Sequence, residues 1–136
     1  MALTKESIEI LNETNVAASA STLITDCTTV DATELAQLAF EAVVNFYASA
    51  TLDVRIHIRA CTTDGTTEWG QATLDLGADE DAYFDVTNPL DGSIVRKTAI
   101  VWADCLYYRV IAENLDTGQI IESVIVNAIS QTVSPT

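Results

Sequence analysis

A chain of 136 residues, of which 49% are hydrophobic, buries about two thirds of the surface its unfolded form exposes, so one domain folds without metal or disulfide staples. Six Lys and Arg stand against twenty Asp and Glu, a formal charge of −14 spread along the chain rather than gathered in a tail. That balance argues against nucleic acid and anionic membranes as partners, because phosphate recognition needs clustered Lys and Arg.

The opening MALTKESIEIL lacks the apolar core of a signal peptide, and nowhere do about 18 apolar residues run together. A chain made in the cytoplasm, without a membrane span, is the expectation. The sequon Asn12-Glu13-Thr14 is then idle.

Residues 1–15 carry Leu3, Ile8, Ile10 and Leu11, and read as an N-terminal arm that docks on a neighbour or as an extra edge strand. VAASASTLIT, from Val16, reads as a first strand of small residues. ELAQLAFEAVVNFY, from Glu34, fits two templates. As a helix it places Leu35, Leu38, Ala39, Ala42, Val43 and Phe46 on one face, with Asp31 and Glu34 as a capping box. As a strand its even positions from Ala36 to Phe46 are apolar. Its aromatic and β-branched residues favour the strand.

From residue 51 a period of two dominates. In TLDVRIHIRA, Leu52, Val54, Ile56, Ile58 and Ala60 share one face, while Asp53, Arg55, His57 and Arg59 share the other. Asp64-Gly65 predicts a tight hairpin into TEWGQATLDL, with Trp69, Leu74 and Leu76 supplying apolar surface. Gly77 to Asp81 is a turn, and AYFDV a short strand ended by Asn88-Pro89-Leu90-Asp91-Gly92. Ser93 to Ala103 reads as a strand containing Ile94, Ile100 and Trp102, and Leu106 to Asn114 as another with Leu106, Tyr108, Val110 and Ala112 on one face. Asp116-Thr117-Gly118 then predicts a hairpin into QIIESVIVNAI. The fold class is all-β: one antiparallel β-sandwich of about eight strands over residues 16–130, immunoglobulin-like or jelly-roll, with an N-terminal arm and a tail at 131–136.

Cys27, Cys61 and Cys105 are odd in number, widely spaced and without a C-x-x-C pair, which reads as three reduced structural thiols, the alternative being one disulfide and a spare thiol. His57 is the only histidine, and its face-mates Arg55 and Arg59 suit neither general acid catalysis nor metal binding. The stripe they form reads either as cross-strand pairing with carboxylates such as Glu41 and Glu68, or as a contact with an acidic edge of another subunit. Asp79-Glu80-Asp81, near Asp75 and Asp85, lacks the spacing of a calcium loop and reads as a solvated acidic turn. Trp69 and Tyr107 are candidate sugar-stacking aromatics, whereas Trp102 and Tyr108 fall on core faces. Phosphate-loop, dinucleotide, nucleophile-elbow and metalloprotease signatures are absent, so no catalytic residue, cofactor or metal is expected.

The hairpin pattern D-G-x-x-x-W over Asp64 to Trp69 and the strand YRV-x-A-x-N over Tyr108 to Asn114 resemble small β-sandwich structural proteins of tailed-bacteriophage virions, across roughly residues 16–130. That resemblance implies a non-enzymatic protein, most naturally a decoration or cement protein of the phage head. It further implies a location in the virion, contact with the major capsid protein or other virion proteins, and a homo-oligomer, with a trimer favoured. Arg55, His57, Arg59, Leu3, Ile8 and Ile10 are the candidate subunit-interface residues. The alternative is a carbohydrate- or surface-binding module of a tail or adhesin, using Trp69 and Tyr107.

Overall fold

The computed structural model describes residues 2–62, 69–71, 82–101 and 105–134. Their strands in chain order are β1 (Ala2–Val16), β2 (Val30–Asp31), β3 (Gln37–Phe46), β4 (Val54–Cys61), β5 (Gly70–Gln71), β6 (Tyr83–Val86), β7 (Ile94–Val101), β8 (Tyr107–Asn114) and β9 (Ile121–Ser134). Sheet A has the order β1-β9-β3-β7. Sheet B runs β2-β8-β4, and the far edge of β4 carries β6 against Val54–His57 and then β5 against Arg59–Ala60. Every pairing is antiparallel, and the two sheets form a β-sandwich.

Periodicity decides the two-template stretch. In β3 the residues Leu38, Phe40, Ala42 and Val44 are fully buried and Phe46 nearly so, while Ala39, Glu41, Val43 and Asn45 are half-buried on the outer face. A helix would spread these apolar residues around more than one face, whereas a central strand buries all five in one row. An aromatic in such a row is worth about 3–5 kcal/mol against alanine. Asp31, the presumed helix cap, instead closes a turn: its Oδ1 accepts hydrogen bonds from the Thr33 hydroxyl at 2.7 Å and the Thr33 N–H at 3.0 Å. Those bonds, the hydroxyl first, hold its carboxyl below the usual range.

Residues 2–16 are a 15-residue edge strand, paired with β9 from Ala2↔Ser134 to Val16↔Ile121. A register shift between Glu9 and Leu11 inserts one residue, so consecutive Ile10 and Leu11 both enter the core, at 3% and 1% exposure. Ile10 is therefore core and not the subunit-contact residue expected from the sequence. Leu3 and Ile8 remain exposed.

Two further expectations are corrected. VAASASTLIT is not a strand: it holds a turn with Ser19 at φ 59°, an isolated bridge from Ser21 to Glu113, and the start of a 3-10 turn at Ile24–Asp26. Its Ala and Ser side chains are too small to fill a core face, and Thr22 spends its Oγ1 on the Ala112 N–H at 2.9 Å. Asp116-Thr117-Gly118 is not a hairpin either, since β8 lies in sheet B and β9 in sheet A. The segment crosses from one sheet to the other. The Asp64-Gly65 hairpin, the 77–81 turn, Leu74, Leu76 and Trp102 lie outside the described residues.

Polar side chains hold that crossing. Asp116, 5% exposed, accepts four backbone N–H groups: Thr51 (2.8 Å) and Leu52 (3.2 Å) on Oδ2, Gly118 (2.9 Å) and Gln119 (3.0 Å) on Oδ1. Asn114 Nδ2 donates to the carbonyls of Gln119 (2.8 Å), Val16 (3.2 Å) and Ala17 (3.2 Å). Asn88 Nδ2 donates to Ala50 O at 3.0 Å and Leu52 O at 3.1 Å, closing the same end of the sandwich. Beside it Gly92 sits at φ 74°, where a Cβ would come within 3.2 Å of Ala48.

The hydrogen bonds from Gly118 and then Thr51 hold the Asp116 carboxyl below its ordinary value. Its folded pKa is depressed, so its contribution is present above about pH 3.9 and is lost as pH falls through the folded value. Asp116→Asn keeps the shape but not the charge or the full acceptor set, and is expected to destabilise by about 1–3 kcal/mol at pH 7. Urea melts from pH 7 to 2 should show a smaller acid-induced loss in the variant than in the wild type; equal slopes would remove Asp116 from this role.

Candidate functional site

The alternation that buries Val54, Ile56 and Ile58 turns Arg55, His57 and Arg59 onto the outer face of sheet B, each half-buried. The pairings place β6 on one side of this row and β8 on the other, so their outward residues Tyr83 and Asp85, and Tyr107, Arg109, Ile111 and Glu113, complete the face.

Arg55 meets Asp85 through two bonds, Nε to Oδ1 at 2.8 Å and Nη2 to Oδ2 at 3.1 Å, and its Cζ lies 4.1 Å from the Tyr83 ring centroid. The bond to Asp85 raises the guanidinium pKa further. His57 Nε2 is 2.8 Å from Glu113 Oε1, and its ring is tilted against Tyr83 with centroids 6.2 Å apart. Its Nδ1 is buried without a hydrogen-bond partner among the described residues. Among the described residues neither nitrogen is bonded to a hydroxyl or thiol.

Arg59 departs from this pattern. It stands directly opposite Arg109 in the β4–β8 register, and its buried Nη1 has no hydrogen-bond partner among the described residues. Arg109 is anchored, with Nε donating to Thr29 Oγ1 at 2.9 Å, Nη1 donating to Ile24 O at 3.1 Å, and Cζ 5.0 Å from the Trp69 ring centroid.

Of the two carboxylates expected to balance the stripe, one is turned to other partners. Glu41 is on β3 in the opposite sheet, where its Oε1 accepts Asn127 Nδ2 at 3.3 Å and lies 3.6 Å from Arg96 Nη1. Glu68 lies outside the described residues. Asp85 and Glu113 face Arg55 and His57 because register, not sequence distance, sets which side chains meet. Strand parity puts both on outward faces, but only the strand order reveals that β6 and β8 flank β4. Arg109 was read simply as part of the YRV strand, and its neighbourhood to Arg59 depends on the same pairing.

Of the candidate sugar-stacking residues, Trp69 is half-buried with Arg109 over its ring, and Tyr107 is half-buried opposite Cys61 and Asp31. Tyr108 is core, and its Oη accepts the Cys105 N–H at 3.0 Å. Asp75 and Asp79 to Asp81 lie outside the described residues, and Asp85 is committed to Arg55. Among the described residues no three potential ligands gather as a metal site, and no helix is long and apolar enough to cross a membrane.

The three cysteines are free thiols. Burial pushes the Cys27 thiol up to about 11, against a hydrogen bond from Val110 N at 3.3 Å that favours the thiolate. Cys105 Sγ donates to Cys61 O at 3.2 Å.

No family model matches this chain, and no curated protein matches it. Among solved structures it is similar to a protein of Bacillus endospore appendages, described as a novel family of disulfide-linked pili, at 17% identity and a TM-score of 0.48, with 97% of this chain and 89% of that chain covered. No residue role is carried over from it.

Two measurements check the site. Arg55 and Asp85 are 30% and 32% exposed, so an Arg55→Ala and Asp85→Ala double-mutant cycle in urea should return a coupling of about 0.2–1 kcal/mol. A coupling of zero would make the bidentate pair ornamental. A thiol reagent at pH 8 should leave Cys27 unmodified until the chain unfolds. Its raised pKa stabilises the fold below the unfolded value of 9.0, and that contribution is lost as pH climbs towards about 11.

Proposed function

We propose that this chain is a non-enzymatic structural subunit that assembles through the two edges of sheet A, which are unpaired among the described residues, and serves on the surface of a larger particle. The observation that carries this reading is the edge geometry. In the order β1-β9-β3-β7 each neighbour is antiparallel to the next, so the outer strands β1 and β7 run in opposite directions. A second copy placed beside the first in the same orientation then meets β7 with its β1 in an antiparallel pairing, which continues the sheet. Contact of this head-to-tail kind closes into rings or grows into filaments.

Side chains support the match. β1 carries Glu6, Glu9 and Glu13 against one Lys5, whereas β7 carries Arg96 and Lys97 and no acid. Ile94 and Ile100 on β7 are 61% and 71% exposed, and Leu3 on β1 is 63% exposed. An open edge with large exposed apolar residues is a template for another strand. Our finer reading, suggested by the resemblance to tailed-phage structural proteins, is a head decoration or cement protein in contact with the major capsid protein. The bidentate Arg55–Asp85 pair and the covered Trp69 ring favour this reading over a sugar-binding module, whose aromatic platform must be open.

Light scattering over a dilution and salt series tests the assembly. The wild-type chain should give masses that are multiples of 14.6 kDa and that fall with dilution. Replacing Ile94 and Ile100 with Glu places carboxylates opposite the acidic β1 edge, and should lower the apparent association constant at least tenfold. A wild-type chain that stays at 14.6 kDa at every concentration overturns assembly through these edges.

A further inference from the structure

Along the outer face of β4, each of the first two cationic positions has its own carboxylate: Asp85 for Arg55 and Glu113 for His57. The third has none among the described residues. Arg59 Nη1 is buried and unpartnered, and the residue across from it is a second arginine. In a chain with more than three carboxylates for every Lys or Arg, two arginines directly opposite one another with no acid beside Arg59 among the described residues need a physical account. Like charges directly opposite each other on neighbouring strands destabilise the pair, and a buried unsatisfied donor loses the hydrogen bonds that water would give it.

We infer that Arg59 and Arg109 form a binding socket for a single carboxylate, the side chain of an Asp or Glu presented by a protein partner. Arg109 is the fixed wall. Its Nε and Nη1 are held by Thr29 and Ile24, and the Trp69 ring packs against its Cζ, so its orientation is set before any ligand arrives. Arg59 is the adaptable wall. Its flexible side chain gains by turning its unpartnered nitrogen towards an oxygen acceptor, and two planar guanidiniums are the groups best shaped to grip a carboxylate.

Charge selects the class of ligand. A net charge of −14 repels a polyanion such as nucleic acid along its whole length, whereas a single acidic side chain feels the field only within a Debye length, about 8 Å at physiological salt. The socket lies on sheet B and the open edges on sheet A, so this inference stands independently of edge assembly.

The four arginines Arg55, Arg59, Arg96 and Arg109 give four side-chain Nε–H signals in protein labelled with nitrogen-15 arginine, assignable by Arg→Lys variants. The probes are the blocked peptide acetyl-Gly-Glu-Glu-Gly-amide and inorganic phosphate, titrated at constant ionic strength. Saturable shifts of the Arg59 and Arg109 signals with the peptide are expected, with Arg55 and the exposed Arg96 little moved. The Arg109 shift should be lost in Arg59→Gln, whose melting temperature should be no lower than that of the wild type because it removes an opposed like charge. No saturable shift, an Arg96 shift as large as that of Arg59, or phosphate binding as tight as the peptide each overturns the socket. So does a Glu68→Gln variant that moves the Arg59 signal without peptide, because the carboxylate would then be the chain's own.

Discussion

The crossing between β8 and β9 is the constraint on which the sandwich depends. β8 lies between β2 and β4 in sheet B, and β9 between β1 and β3 in sheet A, so the short link joining them sets how the two sheets face one another. A hairpin fixes its own register through the backbone ladder, but strands in different sheets share no ladder. Side chains supply what the ladder lacks. Asp116 gathers N–H groups from its own loop and from the loop before β4, and Asn114 ties the start of the crossing to the end of β1. A carboxylate suits the position because a single buried group must satisfy four donors, and an ionised oxygen pair offers about four acceptor sites.

The same economy changes the meaning of the acidity. Several carboxylates serve as backbone caps rather than as surface charge: Asp31 and Asp91 close two-residue turns on Thr33 and Ser93, Asp53 receives the Asn88 N–H at 2.9 Å, and Asp116 holds the crossing. Asp85 and Glu113 are spent on Arg55 and His57. Part of the net charge is therefore architecture, left over from using Asp as a turn residue. The cationic row of β4 shows the opposite logic. Its positive groups are too few to balance the chain, and the place where local pairing stops, at Arg59, is informative for that reason.

Periodicity made β3, β4 and β8 legible, because a strand buried on one face writes its core into alternate residues, as Phe40, Ile56 and Val110 do. Breakers located the ends of β6 and β7, with Pro89 and Gly92 between them. Three features were hidden for physical reasons. The bulge at Ile10 puts two consecutive apolar residues inside, so β1 shows no clean alternation. The crossing at Asp116 uses the same Asp-x-Gly chemistry as a hairpin, and composition does not distinguish a turn within a sheet from a turn between sheets. Partners across strands depend on strand order, a tertiary fact, so the stripe was visible from the sequence while Asp85, Glu113 and Arg109 beside it were not.

Strand order also bears on the selectivity of the proposed edge pairing. Charged residues at an edge ordinarily protect it from pairing with anything. Here the two edges of sheet A carry opposite signs, acidic on β1 and basic on β7. Pairing of β7 with β7 sets Arg96 and Lys97 against their own copies, and pairing of β1 with β1 does the same for Glu6, Glu9 and Glu13. Only the unlike pairing places opposite charges together, and it is the one whose strand directions already continue the antiparallel alternation. Specificity of this kind comes from penalising the wrong pairings as much as from favouring the right one. The bulge at Ile10 restricts it further, since it breaks the even spacing of the β1 edge and divides it into two straight segments. The eight residues of β7 match the length from Ala2 to Glu9 that precedes the bulge, so under the proposed edge pairing that outer half of β1 is the segment that receives it.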